Sequence, residues 1–282
     1  MNREEALKKS DEALKDLAAA LQQGKSDALV KYLEMLSRFH NYSFGNCILI
    51  AMQMPHATHV AGFQRWKSMG RYVKKDEKGI GILAPLAYRR RKDEQPEDGK
   101  EPDDRPSSTL RGFRVVHVFD VSQTDGEPIP EFADLGGDPG EKLHRVENLI
   151  RAKGIAFEFV DSLGGAHGVS EGGAIKVVES LPVAQKFSTM CHELAHELLH
   201  RGDRRSLTTK VIRETEAEAV AYVVCRSVGL DCSTHASDYI QLWNGDVQVL
   251  MQSLELIRDV ATLIITALDE SESVAEEVSH VA

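Results

Sequence analysis

The residues that could do chemistry cluster in one segment, His192-Glu193-Leu194-Ala195-His196. Residues at i and i+4 share a helix face, with Cβ atoms about 6 Å apart, so two imidazoles at this spacing can grip one ion. Glu193 stands beside the first imidazole, where a carboxylate can take a proton from a metal-bound water. Two imidazoles leave such a site incomplete, and a third ligand has to come from elsewhere. The next candidate segment is Arg213-Glu214-Thr215-Glu216-Ala217-Glu218-Ala219-Val220-Ala221-Tyr222, in which Glu214 comes 18 residues after His196. On a helix, Glu214, Ala217, Glu218 and Ala221 fall on one face, and acids facing inward need a positive partner. Glu214 is the expected third ligand, with Glu218 orienting a ligand histidine from behind. Glu216, about 200° round the helix from Glu214, is the alternative ligand. His200 extends the i, i+4 stripe one turn past the ion and reads as a helix-end residue. Zn2+ is the cation that most often meets this donor set.

The elements that must position these groups can be read from periodicity. Val183–His200 runs without a breaker after Pro182, and residues 210–228 form a second helix stopped by Gly229. Before them come a helix over 141–152, a strand over Ala156–Val160, a Gly-rich turn and a strand over Ala174–Val178; a further helix covers Val247–Leu268. Upstream, helices are expected over 3–23, 26–39, 44–54 and 63–69. Strands Gly79–Ala84 and Phe113–Asp120 should pair across a solvated acidic loop at 93–110, which has seven acids and two bases. The fold class is α+β: an N-terminal helical and β-hairpin domain over residues 1–130, then a domain over residues 131–282 with a small sheet and a helical C-terminal region.

Charge supports two units. The chain of 282 residues has a net charge of −10, yet residues 1–130 carry +2 and the remainder −12. Composition (42% hydrophobic, 28% charged) excludes a disordered or low-complexity chain. No apolar run reaches the roughly 18 residues of a membrane span, and the N-terminus is a charged helix former. The expected compartment is the cytoplasm, with no membrane partner. Cys47, Cys191, Cys225 and Cys232 form no C-x-x-C pair and read as reduced thiols.

Residues 59–92 gather Arg65, Lys67, Arg71, Lys74, Lys75, Lys78, Arg89, Arg90, Arg91 and Lys92 against Asp76 and Glu77, with Phe63, Trp66, Tyr72 and Tyr88 interleaved. Cations neutralise phosphates and aromatic faces stack on unpaired bases, so the expected ligand is single-stranded DNA. Arg65, Trp66, Lys67, Arg71, Tyr72, Lys74, Lys75, Lys78, Arg89 and Arg90 are the candidate contacts.

Two resemblances follow from these residues. His192–His196 with the Glu-rich helix resembles the ImmA/IrrE-like gluzincins over about residues 140–230. That resemblance implies a zinc metallopeptidase in which Glu193 is the general base and a protein or peptide is the substrate. In many zincins substrate lies along a strand edge, for which Ala174–Val178 is the candidate; Tyr239, His235 and His167 are possible oxyanion groups. The runs Tyr42–Asn46, Ala61–Trp66 and Gly70–Gly79 are similar to the N-terminal domain of ArdC-type antirestriction proteins, over roughly residues 30–130. This implies a single-stranded-DNA-binding domain joined to a metallopeptidase domain. The chain departs from that family in having Asp76 where Gly is common, and in the acidic insert. The alternative function is a non-catalytic DNA-binding protective protein whose metal is structural; an acidic mimic of DNA ranks last.

Overall fold

A computed structural model describes residues 2–23, 27–89, 108–127, 138–230 and 247–269. The chain is a mixture of helix and sheet, and it divides into two compact units, Met1–Ala13 with Ile48–Glu127, and Leu14–Cys47 with Pro128–Ala282. The division falls within helices α1 (Arg3–Gln22) and α3 (Phe44–Gln53), on either side of α2 (Asp27–Phe39).

The first unit is built on a long antiparallel hairpin, β3 (Ile80–Arg89) with β4 (Ser108–Asp120), and β1 (Val60–Gly62) pairs the far side of β4. The hairpin runs further than the sequence suggested: Ala87, Tyr88 and Arg89 pair with Leu110, Thr109 and Ser108, past a register shift between Pro85 and Ala87. Proline has no N–H to give a ladder, and an irregularity is where a strand accommodates one. The side-chain amide of Gln53 pairs with the start of β3, donating to Gly81 O and accepting from Gly81 N, both at 2.9 Å. Helix α4 (Phe63–Ser68) leads into β2 (Arg71–Val73), which pairs with β5 (Thr124–Gly126) after the 3-10 turn Val121–Gln123. Between β2 and β3, Asp76 has φ 66°, a left-handed conformation easiest for glycine and tolerated by aspartate.

Asp120 locks the end of this sheet. Its carboxylate accepts from the backbone N–H of Thr58 (2.7 Å), His59 (3.1 Å) and Ser122 (3.0 Å), and from the Ser122 hydroxyl (2.6 Å). Burial pushes its pKa up, but these donors outweigh burial and hold it below the usual carboxylate value. A carboxyl depressed in the folded state stabilises above its unfolded pKa, and that stabilisation is lost as pH falls through the folded value. Asp120→Asn should therefore lower unfolding free energy by about 2 kcal/mol at neutral pH. In urea titrations the gap from the parent should shrink below about pH 4; a gap unchanged at pH 3 would contradict the assignment.

The second unit carries the histidine motif. Strand β6 (Ala156–Val160) pairs in parallel with β8 (Ala174–Val178), and β7 (Gly168–Ser170) pairs antiparallel with the other side of β8. Helix α5 (Lys142–Ala152) precedes the sheet. After it come α6 (Val183–Leu199), the short α7 (Asp203–Leu207), α8 (Lys210–Ser227) and α9 (Val247–Asp269). Helix α6 packs on the sheet, α5 and α8, and α8 also packs on α2 and α9. The core is formed by Phe187, Met190 and Leu194 of α6, Ala217, Val220 and Val224 of α8, and Leu254, Ala261 and Ile264 of α9. Helix α8 is buried over residues 215–217 and 219–225, while its first turn and Glu218 keep some exposure.

Cys47, Cys191 and Cys225 are buried, and burial pushes the Cys47 thiol up to about 12; Cys232 lies outside the described residues. No described helix is long and apolar enough to cross a membrane.

Candidate metal centre

Helices α6 and α8 bring together residues that lie 18 to 22 positions apart. His192 and His196 place their Nε2 atoms 3.1 Å apart, and Glu214 Oε2 lies 3.5 Å from the first and 3.4 Å from the second. A tetrahedral ion with bonds of about 2.05 Å separates its ligand atoms by about 3.3 Å. The triangle therefore fits a divalent cation, with a fourth position left for water or substrate. Among the described residues this trio is the cluster of donors whose atoms all lie within 4.8 Å of one another.

Each histidine of the trio is held from behind. Glu218 Oε2 lies 3.5 Å from His192 Nδ1, and His200 Nδ1 lies 3.1 Å from His196 Nδ1. Burial pulls the His192 imidazole down, yet the carboxylates of Glu214 and Glu218 outweigh it and hold the ring up at about 9. The same contacts, His192 first and then His196, hold Glu214 well below the usual carboxylate range. Glu193 is 8% exposed; burial pushes its carboxyl up, against the opposing pull of His192 and His196. A raised carboxyl beside a cation site is suited to accept and return a proton.

Glu216 stands away from this triangle. It is 0% exposed and holds a bidentate pair with Arg204 at 2.8 Å and 2.8 Å, plus a contact of 2.9 Å with His200 Nε2. His200 is thus more than a helix end. Helical spacing marked its direction, but nothing in the sequence marked its partner.

The sheet supplies the wall opposite Glu193. Gly168 lies so close to α6 that an added Cβ would stand 2.5 Å from Thr189 Cγ2 and 2.9 Å from Glu193 Cγ. Strand β8 is paired on both sides, which corrects the expectation that Ala174–Val178 offers a free edge; the edge beside α6 is β7, hidden in the sequence among the glycines that flank it. Glu197, also unanticipated, is buried and accepts the N–H groups of Gly172 (2.8 Å) and Gly173 (2.9 Å), so α6 fixes the β7–β8 turn. A cavity of about 520 Å³ adjoins the site, lined by Ser170, Gly172, His196, Glu197, Arg201 and Arg205 among others. His167 is exposed and accepts at Nδ1 from Gln185 Nε2 (3.0 Å); Tyr239 and His235 lie outside the described residues.

In the first unit the basic segment separates into two groups. Arg65, Lys67, Tyr72, Lys74, Lys75 and Lys78 are exposed. Trp66 is 1% exposed and its indole N–H donates to Phe119 O at 2.8 Å, which corrects its expected role as a stacking platform: it is a core residue. The Arg71 guanidinium is spent on Thr124, Gly126 and Glu127, where it latches β5. Lys74 Nζ donates to Ser122 O at 3.0 Å. The side chain of Arg89, and all of Arg90, Arg91 and Lys92, lie outside what is described.

Comparison with known proteins places these features. Residues 3–119 match the family defined by the N-terminal domain of anti-restriction factor ArdC. That match covers the first part of the chain. The Mn(II)-bound crystal structure of antirestriction ArdC from plasmid R388 shares the fold, with a TM-score of 0.50 at 18% identity over 93% of this chain and 98% of that one. The metal-free crystal structure of the same protein matches with a TM-score of 0.47 at 20% identity, covering 79% and 84%. An uncharacterized Bacillus anthracis protein, pXO2-81, is 25% identical over 281 residues, covering 86% of this chain and 48% of that protein. The chain thus spans about half the length of that relative.

Proposed function

We propose that this chain is a metal-dependent peptidase joined to a single-stranded-DNA-binding unit, acting in antirestriction or in processing proteins on DNA. The observation that carries the reading is the triangle of His192, His196 and Glu214, whose spacing of 3.1–3.5 Å suits a divalent cation, with Glu193 beside it. The Mn(II)-bound form of a protein with this fold supports a metal here, and the antirestriction role of ArdC supports the biological setting. Zinc is the cation we assign, from the donor set.

His192, His196 and Glu214 would hold the ion, which when bound acts as a Lewis acid and lowers the pKa of water to near neutrality. Glu193 takes the proton from the attacking water and returns it to the leaving amine. The close contact with Gly168 keeps the Glu193 carboxylate from swinging away. The substrate lies extended along β7, whose second edge has no strand partner among the described residues. In the first unit, exposed Tyr72 stacks on a base while Arg65, Lys67, Lys75 and Lys78 meet phosphates.

Binding of a labelled oligothymidylate across a salt series tests the DNA half. Tyr72→Ala should weaken binding by about 1–3 kcal/mol without changing the salt slope. Lys75→Ala should flatten that slope by about 0.7. Affinity that ignores both substitutions and salt would remove this half of the proposal. Incubation of an unfolded protein such as casein with the purified chain and zinc or manganese, with and without single-stranded DNA, tests the other half. Fragments that vanish on chelation are expected, and intact casein under every condition would overturn the peptidase reading.

A further inference from the structure

We propose that His200 fixes the tautomer and orientation of His196, and that Glu216 and Arg204 fix His200 in turn, as one hydrogen-bonded chain that sets how tightly the site holds its cation. The inference rests on the reading of His196 as a ligand. Its Nε2 faces His192 and Glu214, while its Nδ1 lies 3.1 Å from His200 Nδ1. A neutral imidazole that gives its Nε2 lone pair to a cation carries its proton on Nδ1. His196 Nδ1–H must then donate, and His200 Nδ1 must accept. The His200 proton is thereby placed on Nε2, where Glu216 Oε2 accepts it at 2.9 Å.

One set of tautomers satisfies every member. The opposite tautomer of His200 would set N–H against N–H at His196 and a lone pair against the carboxylate at Glu216. Such a clash has no relief, because the side chains of His200 and Glu216 are 0% and 1% exposed and water cannot replace a lost partner. Glu216 is itself anchored by both guanidinium nitrogens of Arg204 and by Ser253 of α9. Arg204 also donates to Leu199 O at 3.3 Å, tying the start of α7 to the end of α6. His192 has a carboxylate directly behind it in Glu218, whereas His196 reaches its carboxylate through a second ring. His200 is therefore a positioning residue, and a helix cap would need only its backbone.

Nitrogen–proton correlation spectra of the zinc-loaded full chain test the arrangement without substitution. His196 should carry its proton on Nδ1 and His200 on Nε2; a proton on His200 Nδ1 would overturn the proposal. Competition titration with zinc then compares the parent, His200→Phe, His200→Asn and His196→Ala. Phe removes the acceptor and should weaken zinc binding about 10- to 100-fold. Asn offers an amide oxygen near the position of Nδ1 and should recover most of that loss, which a merely structural role would not do. Equal zinc affinity in His200→Phe and the parent would overturn the inference while leaving the ligand reading intact. A parent that binds zinc no better than His196→Ala would overturn the ligand reading itself.

Discussion

Replacement of Glu193 by Gln is expected to reduce peptide hydrolysis by about 10²–10⁴-fold, the usual worth of a positioned general base. Gln keeps the size of the side chain, so the contact with Gly168 and the packing of a residue only 8% exposed are preserved. It cannot, however, take a proton from water. Because Glu193 is no part of the His192, His196 and Glu214 triangle, metal content should stay at the parental level. The same variant separates peptidase from protective binding protein. If Glu193→Gln loses proteolysis and antirestriction together, the metal is catalytic; if proteolysis is unchanged, the catalytic role of Glu193 is wrong.

Glu214→Ala is expected to weaken divalent-metal binding by more than about 100-fold, since it removes a ligand rather than one of the outer partners that cost 10–100-fold. Glu214→Asp retains the carboxylate one methylene short and should fall between. The pH dependence carries a sign. Below its pKa of about 9, held up against burial by Glu214 and Glu218, the His192 ring carries a proton that an arriving cation must displace. Affinity should therefore rise about tenfold per pH unit from neutrality to about 9 and then level off. Titration calorimetry in two buffers of different ionisation enthalpy would read the released proton directly. Glu216→Ala provides the contrast. It leaves the His200 and Arg204 partners unpaired in the core, so its first effect should be on thermal stability. Affinity lost more in Glu216→Ala than in Glu214→Ala would exchange their roles.

The readable parts of the chain were those whose signal is local. The helices over α1–α6, α8 and α9, and the paired strands β6 and β8, follow from apolar periodicity and from Gly and Pro stops. The spacing of His192 and His196 needs only a helix, and the inward stripe of Glu214, Ala217 and Glu218 needs only a second one. What depended on partners distant in sequence was not readable. Strands β1, β2 and β5 are each three residues long and exist through pairing with β4 or each other. Strand β7 begins at a glycine that serves close approach, which in a sequence looks like a turn. Trp66 looked like a stacking platform because aromatics among cations suggest one; only its bond to Phe119 O reveals a core residue. Glu216 looked like an alternative ligand and Glu197 carried no signal; burial with specific donors sets both apart.

The chemistry claimed for this chain depends on a cation between α6 and α8. X-ray absorption at the metal edge of the purified, zinc-loaded protein measures that most directly. The expected result is one ion per chain with two imidazole nitrogens and carboxylate or water oxygen at about 2.0–2.1 Å, and loss of one imidazole contribution in His196→Ala. An ion absent from the parent, or an unchanged coordination shell in His196→Ala, would contradict it.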